Sequence, residues 1–431
     1  MNLAGSLTSD PYGGSRNANK MFVGAVREPP SLWIERLMMS THKVVPLRPT
    51  PADDSDHLAH VYAQFPLDVV DAKGVYLNTP DGRKVLDLYG GHAVAAVGYG
   101  HPRWVEALTR QAQSLAFQSN AVALDVRNRA ATRLAKFCGL GLDTVFFVNS
   151  GAEANENALK LACMITEASE VVAVEGSFHG RTAAAGAVTW GARLKWYGFP
   201  QAPFDVKFLP RGNIPAIADM VTDQTAAVIV EPIQGVAGAC DLPKEFLQAL
   251  RHRCSETGTI LIFDEVQCGM GRTGYPFAAN MYGVTPDIIT TAKALGAGFP
   301  VSAVLMADHV ASNLKMDYLG TTFGGGPMAC AMVEAVLHII EDENLLKNVR
   351  ERSAEIRQKC IVGPVTAIQG AGFLLGLRTT RPAKEIQAEL LKRNILTGTS
   401  GDPHVVRILA PYVLESQHVE QLRAALVDIG K

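Results

Sequence analysis

The chain has 431 residues, which exceeds one ordinary hydrophobic core and predicts two domains. Its formal net charge is -2, with 19% charged and 48% hydrophobic residues. This balance is typical of a soluble globular protein and excludes the basic surplus of a nucleic-acid-binding protein. No apolar run approaches the ~20 residues of a membrane helix, so we expect neither nucleic-acid nor membrane partners.

The seven cysteines are spread through the sequence without a Cys-x-x-Cys pair. An odd number at such spacing argues against a disulfide framework or a zinc site. We interpret each cysteine as a small buried apolar residue, and we expect no metal centre and a cytoplasmic location.

Residues 1–55 differ from the rest of the chain in their many prolines and polar residues and in their weak periodicity. We interpret them as a poorly ordered N-terminal extension. Acidic residues within this stretch argue against a transit peptide, and residues 31–38 are compatible with a short amphipathic helix.

A hairpin signal, Thr79-Pro80-Asp81-Gly82, precedes a long series in which apolar strand-like runs alternate with helical periodicity. Runs that are apolar on both faces and separated by helices predict an α/β fold with a mainly parallel sheet covered on both sides. The last part of the chain, about 90 residues, predicts a smaller α+β unit. The strand-like runs lie at residues 144–148, 171–174, 226–230, 260–263, 288–290 and 302–306.

The first candidate binding motif is Asn149-Ser150-Gly151-Ala152, which follows a strand-like run and opens a helix. Ligands of such sheets bind at the carboxyl ends of the strands. The backbone N–H groups of Ser150, Gly151 and Ala152 therefore predict a phosphate site at a helix N-terminus. A simple helix cap explains the same residues equally directly.

The second motif contains Phe178 and Arg181, just after another strand-like run. Phe178 can stack on a flat cofactor ring, and Arg181 can bind a carboxylate through two hydrogen bonds. A core phenylalanine and a solvated arginine are the alternative. His179, between them, is interpreted as a structural hydrogen-bonding residue rather than a base.

The third motif combines Asp264, Glu265, Val266 and Gln267 with Lys293, each at the end of an apolar run. A lysine held at such a place suits a Schiff base with pyridoxal phosphate, and a carboxylate at the same sheet edge suits the pyridinium nitrogen. Val266 would pack against the cofactor ring, and Gln267 would donate to its phenolic oxygen. If Lys293 is left out of account, an exposed turn at a strand end explains Asp264 and Glu265 as well.

Residues 269–274 spell the G-x-G-x-x-G pattern of dinucleotide-binding loops. A dinucleotide site requires a helix directly afterwards and an acidic residue about 20 residues later. Here Tyr275-Pro276-Phe277 follows, and Asp287 comes too early. We therefore do not expect a nicotinamide oxidoreductase.

In order and spacing, these motifs resemble the class III (subgroup II) pyridoxal-phosphate aminotransferases, in the acetylornithine, succinylornithine and ornithine branch. The resemblance implies a type I aminotransferase fold, with a mainly parallel seven-stranded sheet in a large domain and a smaller α+β domain built from both chain ends. After the extension at 1–55, we therefore expect the small domain at 56–100 and 336–431 and the large domain at 101–335. The resemblance also implies a homodimer with shared active sites.

The resemblance supports the roles given above and makes Lys293 the residue that forms the aldimine with the cofactor. It adds a loop that reaches the neighbouring subunit, in which Thr322 would bond the cofactor phosphate and Thr321 would lie near substrate. Arg407 matches a second carboxylate-binding arginine near the end of the small domain.

Three positions depart from the family pattern. Val236 stands where ornithine-type relatives have a glutamate that pairs with the arginine matching Arg407, so Arg407 stays open or finds another partner. His92 occupies a variable substrate-entry position, where it contacts the tail of the substrate or has a structural role. Gly326 replaces the asparagine of the usual Gly-Gly-Asn-Pro and changes the cross-subunit loop.

We therefore predict a ping-pong transamination through Lys293, from an N-acylornithine or ornithine-like amino-acid donor to 2-oxoglutarate, as in arginine biosynthesis. Because of Val236, another ω-aminotransferase specificity stays open, for 4-aminobutyrate, a β-amino acid or a diamine. A decarboxylase or racemase on the same fold stays open as well. A catalytically silent binding protein is a further alternative.

Overall fold

The structure is a computed structural model that describes residue 57 and residues 59–431. The predicted extension at residues 1–55 lies outside the described residues. Asp68–Lys431 form one compact unit, which contains every element discussed below. In the described part of the chain, no helix is both long and apolar enough to cross a membrane.

The strands and helices of this unit are named in chain order. The strands are β1 (Asp71–Lys73), β2 (Tyr76–Asn78), β3 (Lys84–Asp87), β4 (Thr144–Val148), β5 (Glu170–Val174), β6 (Asp205–Leu209), β7 (Thr225–Val230), β8 (Ile233–Gln234), β9 (Cys240–Asp241), β10 (Ile260–Asp264), β11 (Ile288–Thr291), β12 (Ser302–Met306), β13 (Val365–Ala371), β14 (Leu374–Thr379), β15 (Ile395–Leu396), β16 (Gly398–Thr399) and β17 (Val405–Ile408). The helical segments are α1 (Gly90–Ala93), α2 (Pro102–Ser114), α3 (Asp125–Cys138), α4 (Gly151–Thr166), α5 (Ala183–Ala187), α6 (Ile217–Met220), α7 (Lys244–Thr257), α8 (Ala278–Tyr282), α9 (Asp308–Ala311), α10 (Pro327–Asp342), α11 (Leu345–Lys359), α12 (Ala383–Lys392) and α13 (Ser416–Ile429).

The central sheet has seven strands in the order β4-β12-β11-β10-β7-β5-β6. Neighbouring strands are parallel except for β12, which runs antiparallel to β4 and β11. Every residue of β7 and β10 is buried, which explains why these runs show no polar alternation. The predicted α/β fold with a mainly parallel seven-stranded sheet is confirmed.

Two four-stranded sheets contain the smaller elements. In the sheet β1-β2-β3-β15, the predicted hairpin joins β2 to β3, and β15 from the C-terminal part of the chain pairs parallel with β3. The other sheet, β13-β14-β17-β16, comes entirely from the C-terminal part. Segments from both chain ends therefore share a sheet. The division into domains at residues 56–100, 101–335 and 336–431 remains a prediction.

Segment α1 is a left-handed turn rather than an ordinary helix. Gly90 and Gly91 have φ of 56°, His92 has 64° and Ala93 has 69°. Gly90 is required here because a Cβ would lie 2.8 Å from the carbonyl oxygen of Leu409. Left-handed backbone at a residue other than glycine costs about 1–3 kcal/mol, and such strain is concentrated at functional sites.

The glycine-rich loop at residues 269–274 is part of the protein interior. The fully buried Arg272 donates through Nη2 to the carbonyl of Ala93 at 3.0 Å, and its guanidinium lies 4.6 Å from the ring centroid of Tyr412. The amide of Phe373 donates to the Arg272 carbonyl at 2.8 Å. These contacts fasten the left-handed turn to C-terminal segments.

Candidate active site

A cavity of about 520 Å³ opens at the end of the central sheet where β4, β5, β7, β10 and β11 terminate. Ligands of open α/β sheets bind at this edge. The predicted residues that line the cavity are Ser150, Gly151, Ala152, Phe178, Arg181, Asp264, Val266, Gln267 and Lys293. Four chain segments that are distant in sequence thus meet at one place. The predicted residues outside the lining are His92, Glu265, Thr321, Thr322 and Arg407.

Asp264 is held in a fixed orientation at the end of β10. It is 3% exposed, and its Oδ2 atom lies 2.7 Å from Nδ1 of His179 and 2.8 Å from Nδ2 of Asn155. Its Oδ1 atom accepts from the backbone N–H of Val266 at 3.0 Å. Asn155 is itself fixed, because its Oδ1 accepts from Thr290 at 2.6 Å. A carboxylate oriented in this way is preorganised to stabilise a positive charge in the cavity.

Lys293 begins the short 3-10 helix that follows β11. Its φ of 45° is left-handed, so the backbone is strained at the residue that carries the amine. Burial lowers the pKa of Lys293, while the charges of Asp264 and Glu231 act in the opposite direction. A lowered pKa increases the fraction of free amine at neutral pH, which is the nucleophilic form.

The N-terminus of α4 is capped from both sides. Oγ of Ser150 accepts from the backbone N–H of Glu153 at 3.2 Å, and Oε2 of Glu153 accepts from the N–H of Asn149 at 2.8 Å. The first-turn N–H groups of Gly151 and Ala152 have no acceptor inside the helix, and both residues line the cavity. The same residues therefore form a helix cap and present free amides to an anion.

Phe178 and Val266 form apolar parts of the cavity wall. Gly151 packs so closely that a Cβ there would lie 2.6 Å from Cγ1 of Val266. A Cβ on Gly235 would overlap the side chain of Gln267, whose buried Oε1 has no partner among the described residues. The two glycines therefore set the positions of Val266 and Gln267.

Glu265 points away from the cavity because alternate residues of an extended segment face opposite sides. Its carboxylate accepts from the backbone N–H groups of Ala278 and Ala279, at the beginning of α8. Burial raises the pKa of Glu265 to about 8, and these two amide hydrogen bonds oppose the shift. The structure therefore does not bring this predicted cofactor contact to the cavity.

Glu231 and Asn155 are site residues that the sequence interpretation did not assign. Glu231 lines the cavity, and its carboxylate accepts from the backbone N–H groups of Phe178 at 2.8 Å and Gly235 at 3.2 Å. Burial and then the charge of Asp264 raise the pKa of Glu231. A carboxylate directly after the buried strand β7 was the available signal. Asn155 lies within α4 and had no such signal.

Arg181 lines the cavity with an exposed side chain. Its guanidinium carbon lies 4.7 Å from the ring centroid of Trp196, in a cation–π contact. Among the described residues, no carboxylate forms an ion pair with Arg181. Its charge is therefore available to a ligand.

Arg407 is 6% exposed and binds backbone carbonyls. Its Nε donates to Thr399 at 2.7 Å and its Nη1 to Gly235 at 3.2 Å. The adjacent Val236 is 39% exposed and lines the cavity, and its carbonyl accepts from the N–H of Gly401 at 2.8 Å. Burial lowers the pKa of Arg407. Carbonyl oxygens thus take the place of the carboxylate that Val236 cannot supply.

His92 is connected to Arg407 through Tyr89. The His92 and Tyr89 ring centroids are 4.6 Å apart, and Nδ1 of His92 lies 2.6 Å from the Tyr89 hydroxyl. The guanidinium carbon of Arg407 lies 5.9 Å from the centroid of the Tyr89 ring. Burial, followed by the charges of Arg407 and Lys293, lowers the pKa of His92. His92 therefore belongs to the charged surroundings of the cavity, although it does not line it.

The sequence matches the family model described as Aminotransferase class-III over residues 57–429. The chain belongs to the class-III aminotransferases. It is 37% identical over 383 residues to the acetylornithine aminotransferase of Methanocaldococcus jannaschii, covering 86% of this chain and 94% of that one. It is 41% identical over 377 residues to the acetylornithine aminotransferase of Streptomyces coelicolor, covering 86% and 93%.

Solved structures of other aminotransferases have the same fold as this class-III aminotransferase. The ornithine aminotransferase of Toxoplasma gondii ME49 superposes with a TM-score of 0.81 at 27% identity, covering 87% of this chain and 92% of that one. The acetylornithine aminotransferase of Elizabethkingia anophelis gives a TM-score of 0.77 at 28% identity, covering 86% and 96%. The predicted family and the predicted type I fold are confirmed.

The class-III aminotransferase family implies pyridoxal phosphate, and the cavity residues fit this group. Free helix amides suit its phosphate, apolar walls suit its ring, and a fixed carboxylate suits its ring nitrogen. The amide of Gln267, whose buried oxygen has no partner among the described residues, is a polar group for the ring substituents. The residues that would hold the cofactor are Gly151, Ala152, Phe178, Asp264, Val266, Gln267 and Lys293.

The loop at residues 321–326 of this aminotransferase is anchored next to the N-terminus of α4. Oγ1 of Thr321 accepts from Nδ2 of Asn149 at 3.2 Å, whereas Thr322 is exposed. Gly326 is the residue before α10, and its carbonyl accepts the first hydrogen bond of that helix. The glycine that replaces the usual asparagine thus keeps the helix start but supplies no capping side chain.

Proposed function

We propose that this aminotransferase moves the terminal amino group of an N-acylornithine or ornithine-like donor to 2-oxoglutarate. The observation that carries the proposal is that Lys293, Asp264 and Arg181 meet at one cavity, where no described carboxylate pairs with Arg181. The names of the relatives support the donor, since two are acetylornithine aminotransferases. The ornithine aminotransferase fold of a solved neighbour supports it as well.

Pyridoxal phosphate, when bound, supplies an electron-withdrawing ring for the carbon that bears the transferred amine. Asp264, oriented by Asn155 and His179, would keep a proton on the ring nitrogen. The amine of Lys293 would take a proton from the substrate carbon and return it during the transfer. Its lowered pKa favours this role because the free amine is the proton acceptor.

Substrate carboxylates would be bound by arginine. In a ping-pong reaction the donor and the acceptor occupy the same cavity in turn, so one set of cations must serve both. Arg181 can form two parallel hydrogen bonds to a carboxylate. Arg407 adds positive charge beside Val236, with no carboxylate paired to it among the described residues. We assign the first contact to Arg181 and a supporting role to Arg407.

A second copy of the chain would complete the site. Helix α2 buries none of its residues, and the rings of Phe117 and Phe323 contact each other with centroids 5.2 Å apart although they are 43% and 65% exposed. This apolar surface adjoins the loop with Thr321 and Thr322. A homodimer with Thr322 at the partner's phosphate explains both features. The cytoplasmic location expected from the cysteines stays a prediction.

Val236 favours a second candidate function on the same fold. A valine side chain, 39% exposed in the cavity wall, gives no anion for the α-ammonium group of free ornithine. This favours donors whose far end is neutral or anionic, which include an N-acylornithine and also 4-aminobutyrate. Another ω-aminotransferase specificity is therefore the competing proposal.

A half-reaction screen separates the two candidates. The purified holoenzyme is mixed with N-acetylornithine, ornithine, 4-aminobutyrate or a diamine, and the cofactor absorbance is followed. We expect the largest second-order rate constant with N-acetylornithine. A larger constant with 4-aminobutyrate would replace the proposed donor by the second candidate.

Removal of the Lys293 amine tests the mechanism itself. Lys293→Ala is expected to slow the half-reaction by several orders of magnitude, because the covalent attachment and the proton carrier are both lost. After borohydride treatment, mass analysis should find the adduct on the peptide with Lys293 in the parent protein. The matched control is Lys384→Ala in α12, which should keep the parental rate. Near-parental turnover of Lys293→Ala would refute the assignment.

A further inference from the structure

The indole of Trp196 lies against the guanidinium of Arg181. The guanidinium carbon lies over the indole at 4.7 Å from the ring centroid, within the range of a cation–π attraction. Arg181 lines the cavity, whereas Trp196 is half-buried and lies outside the lining. The indole is therefore placed behind the arginine and not in the path of a ligand.

A cation–π contact holds the guanidinium through its charge and not through a carboxylate partner. The five N–H groups of a guanidinium lie in its plane, and a carboxylate binds along that edge. The contact with Trp196 therefore restrains the Arg181 side chain, while no acceptor among the described residues takes its N–H donors. An ion pair with a protein carboxylate would have used the same donors.

The structure holds Trp196 firmly behind the arginine. Its backbone N–H donates to the carbonyl of Ala192 at 2.9 Å, and its ring reaches to within 3.5 Å of the Cβ position of Gly186 in α5. The next residue, Tyr197, donates its hydroxyl to the carbonyl of Ala183 at 2.7 Å. The segment that carries the indole is thus docked on α5.

Helix α5 also fixes the backbone next to Arg181, the other residue of this contact. Arg181 lies two residues before α5, whose first turn is capped by Glu156. Oε1 of Glu156 accepts from the Thr182 hydroxyl at 2.5 Å and from the N–H of Ala184 at 2.7 Å. The backbone of Arg181 and the ring of Trp196 are therefore both anchored to one short helix.

We propose that Trp196 is a positioning residue that orients Arg181 for the carboxylates of the amine donor and the 2-oxoacid. The inference rests on the proposed substrate role of Arg181. A preoriented arginine binds with less loss of side-chain entropy than a free one. Loss of the indole therefore weakens carboxylate binding and leaves the proton-transfer groups intact.

The first experiment compares Trp196→Leu with Trp196→Phe in the holoenzyme. We expect Trp196→Leu to raise KM for glutamate and the dissociation constant of glutarate about tenfold, with kcat changed less than about twofold. Trp196→Phe keeps an aromatic face and should recover most of the affinity. Glutarate binding is measured by calorimetry, so one readout does not depend on turnover.

A double-mutant cycle with Arg181→Gln separates positioning from a general effect on the fold. Without the guanidinium, Trp196→Leu should have no further effect on glutarate binding, because the two residues act through one contact. Additive losses in the cycle would overturn the proposal, as would a Trp196→Leu variant with parental affinity. Where Trp196→Leu unfolds, Trp196→Met takes its place, because it fills more of the space without an aromatic face.

Trp190→Leu is the matched control. Trp190 is 47% exposed in the same region and packs edge-to-face against Phe208 rather than against a cation. It should keep the parental glutarate affinity. Failure of the proposed transamination would show itself differently, since the parent holoenzyme would then give no absorbance change with glutamate. If the parent reacts with glutamate but the double-mutant cycle is additive, the positioning role is refuted and the proposed transamination still stands.

Discussion

Asp264 and Lys293 lie at the same cavity, but hydrogen bonds orient the first residue and burial changes the pKa of the second. Asp264 is oriented by three hydrogen bonds, to His179, Asn155 and the backbone N–H of Val266. Lys293 loses hydration at a strained left-handed position, and its pKa falls. An oriented carboxyl group and an amine with a lowered pKa thus meet at one cavity.

The uncharged side chain of Val236 gives a prediction at the scale of a single residue. Val236→Glu places a carboxylate next to Arg407, whose hydrogen bonds now go to the carbonyl oxygens of Thr399 and Gly235. The new anion should neutralise this arginine and raise KM for 2-oxoglutarate about tenfold. Steady-state kinetics measures the effect. Val236→Gln, of similar shape without the charge, should stay close to the parent, and an equal loss in both variants would contradict an electrostatic cause.

At the scale of elements, successive side chains at the end of β10 point in opposite directions, towards the cavity and towards α8. Asp264 and Val266 face the cavity, whereas Glu265 faces α8 and binds its first amides. The N-terminus of α4 then packs against the same strand end through Gly151. Close contact between a helix start and a strand end brings together the amides proposed for the phosphate and the side chains proposed for the ring.

Gly151→Ala tests this contact. The added Cβ would lie 2.6 Å from Val266, so that the helix start or the valine must move. We expect the dissociation constant of pyridoxal phosphate to rise about tenfold, measured by absorbance titration of the apoprotein. The double variant Gly151→Ala with Val266→Ala should recover part of the affinity because the space is restored. No recovery would mean that the methyl group acts on the phosphate directly.

Glu265 gives a prediction for the pH dependence of stability. Burial raises its pKa in the folded protein to about 8, above its value of roughly 4.5 in an unfolded chain. Between these values the folded state binds more protons than the unfolded state, so the free energy of unfolding falls as pH rises. Glu265→Gln should reduce this fall by about 2–4 kcal/mol between pH 5 and 8.

Urea unfolding at several pH values measures the slope. The matched control is Glu385→Gln, at an exposed glutamate that pairs with Arg381 on the surface. This variant should keep the parental slope. An unchanged slope in Glu265→Gln would show that the carboxylate is already ionised at pH 5 in the folded protein.

At the scale of the whole molecule, the cavity lies beside a surface that one chain leaves uncovered. Phe117, Val122 and Phe323 are 43%, 44% and 65% exposed, and α2 buries no residue. Large exposed apolar residues in one region are typical of an interface between proteins. The proposed homodimer would cover this surface and place Thr322 at the neighbouring site.

Phe323→Glu tests the dimer. A charge at the centre of the exposed aromatic pair would lose its hydration in the interface, which opposes association. Sedimentation should show a shift from dimer to monomer, together with a fall in turnover of at least about tenfold. Ile361→Glu, at a residue that is 50% exposed on another loop, is the control and should stay dimeric. A dimeric Phe323→Glu protein would place the interface elsewhere.

Much of the site follows from local sequence signals. Apolar runs identify strands because burial on both faces removes polar residues, and the residues directly after these runs lie at one edge of the sheet. Ser150, Phe178, Asp264 and Lys293 were predicted on this ground, and all four line the cavity. The family motifs added Arg407, which the structure places beside Val236.

The sequence by itself determined the fold class, the family and the main cavity residues, because strand burial and strand-end motifs are local patterns. Only the tertiary structure decided that Glu265 turns to α8, that Arg407 binds backbone carbonyls, and that Trp196 lies behind Arg181. Each of these is a contact with a side chain or backbone group whose direction depends on how distant segments pack. No periodicity within one segment encodes such a contact.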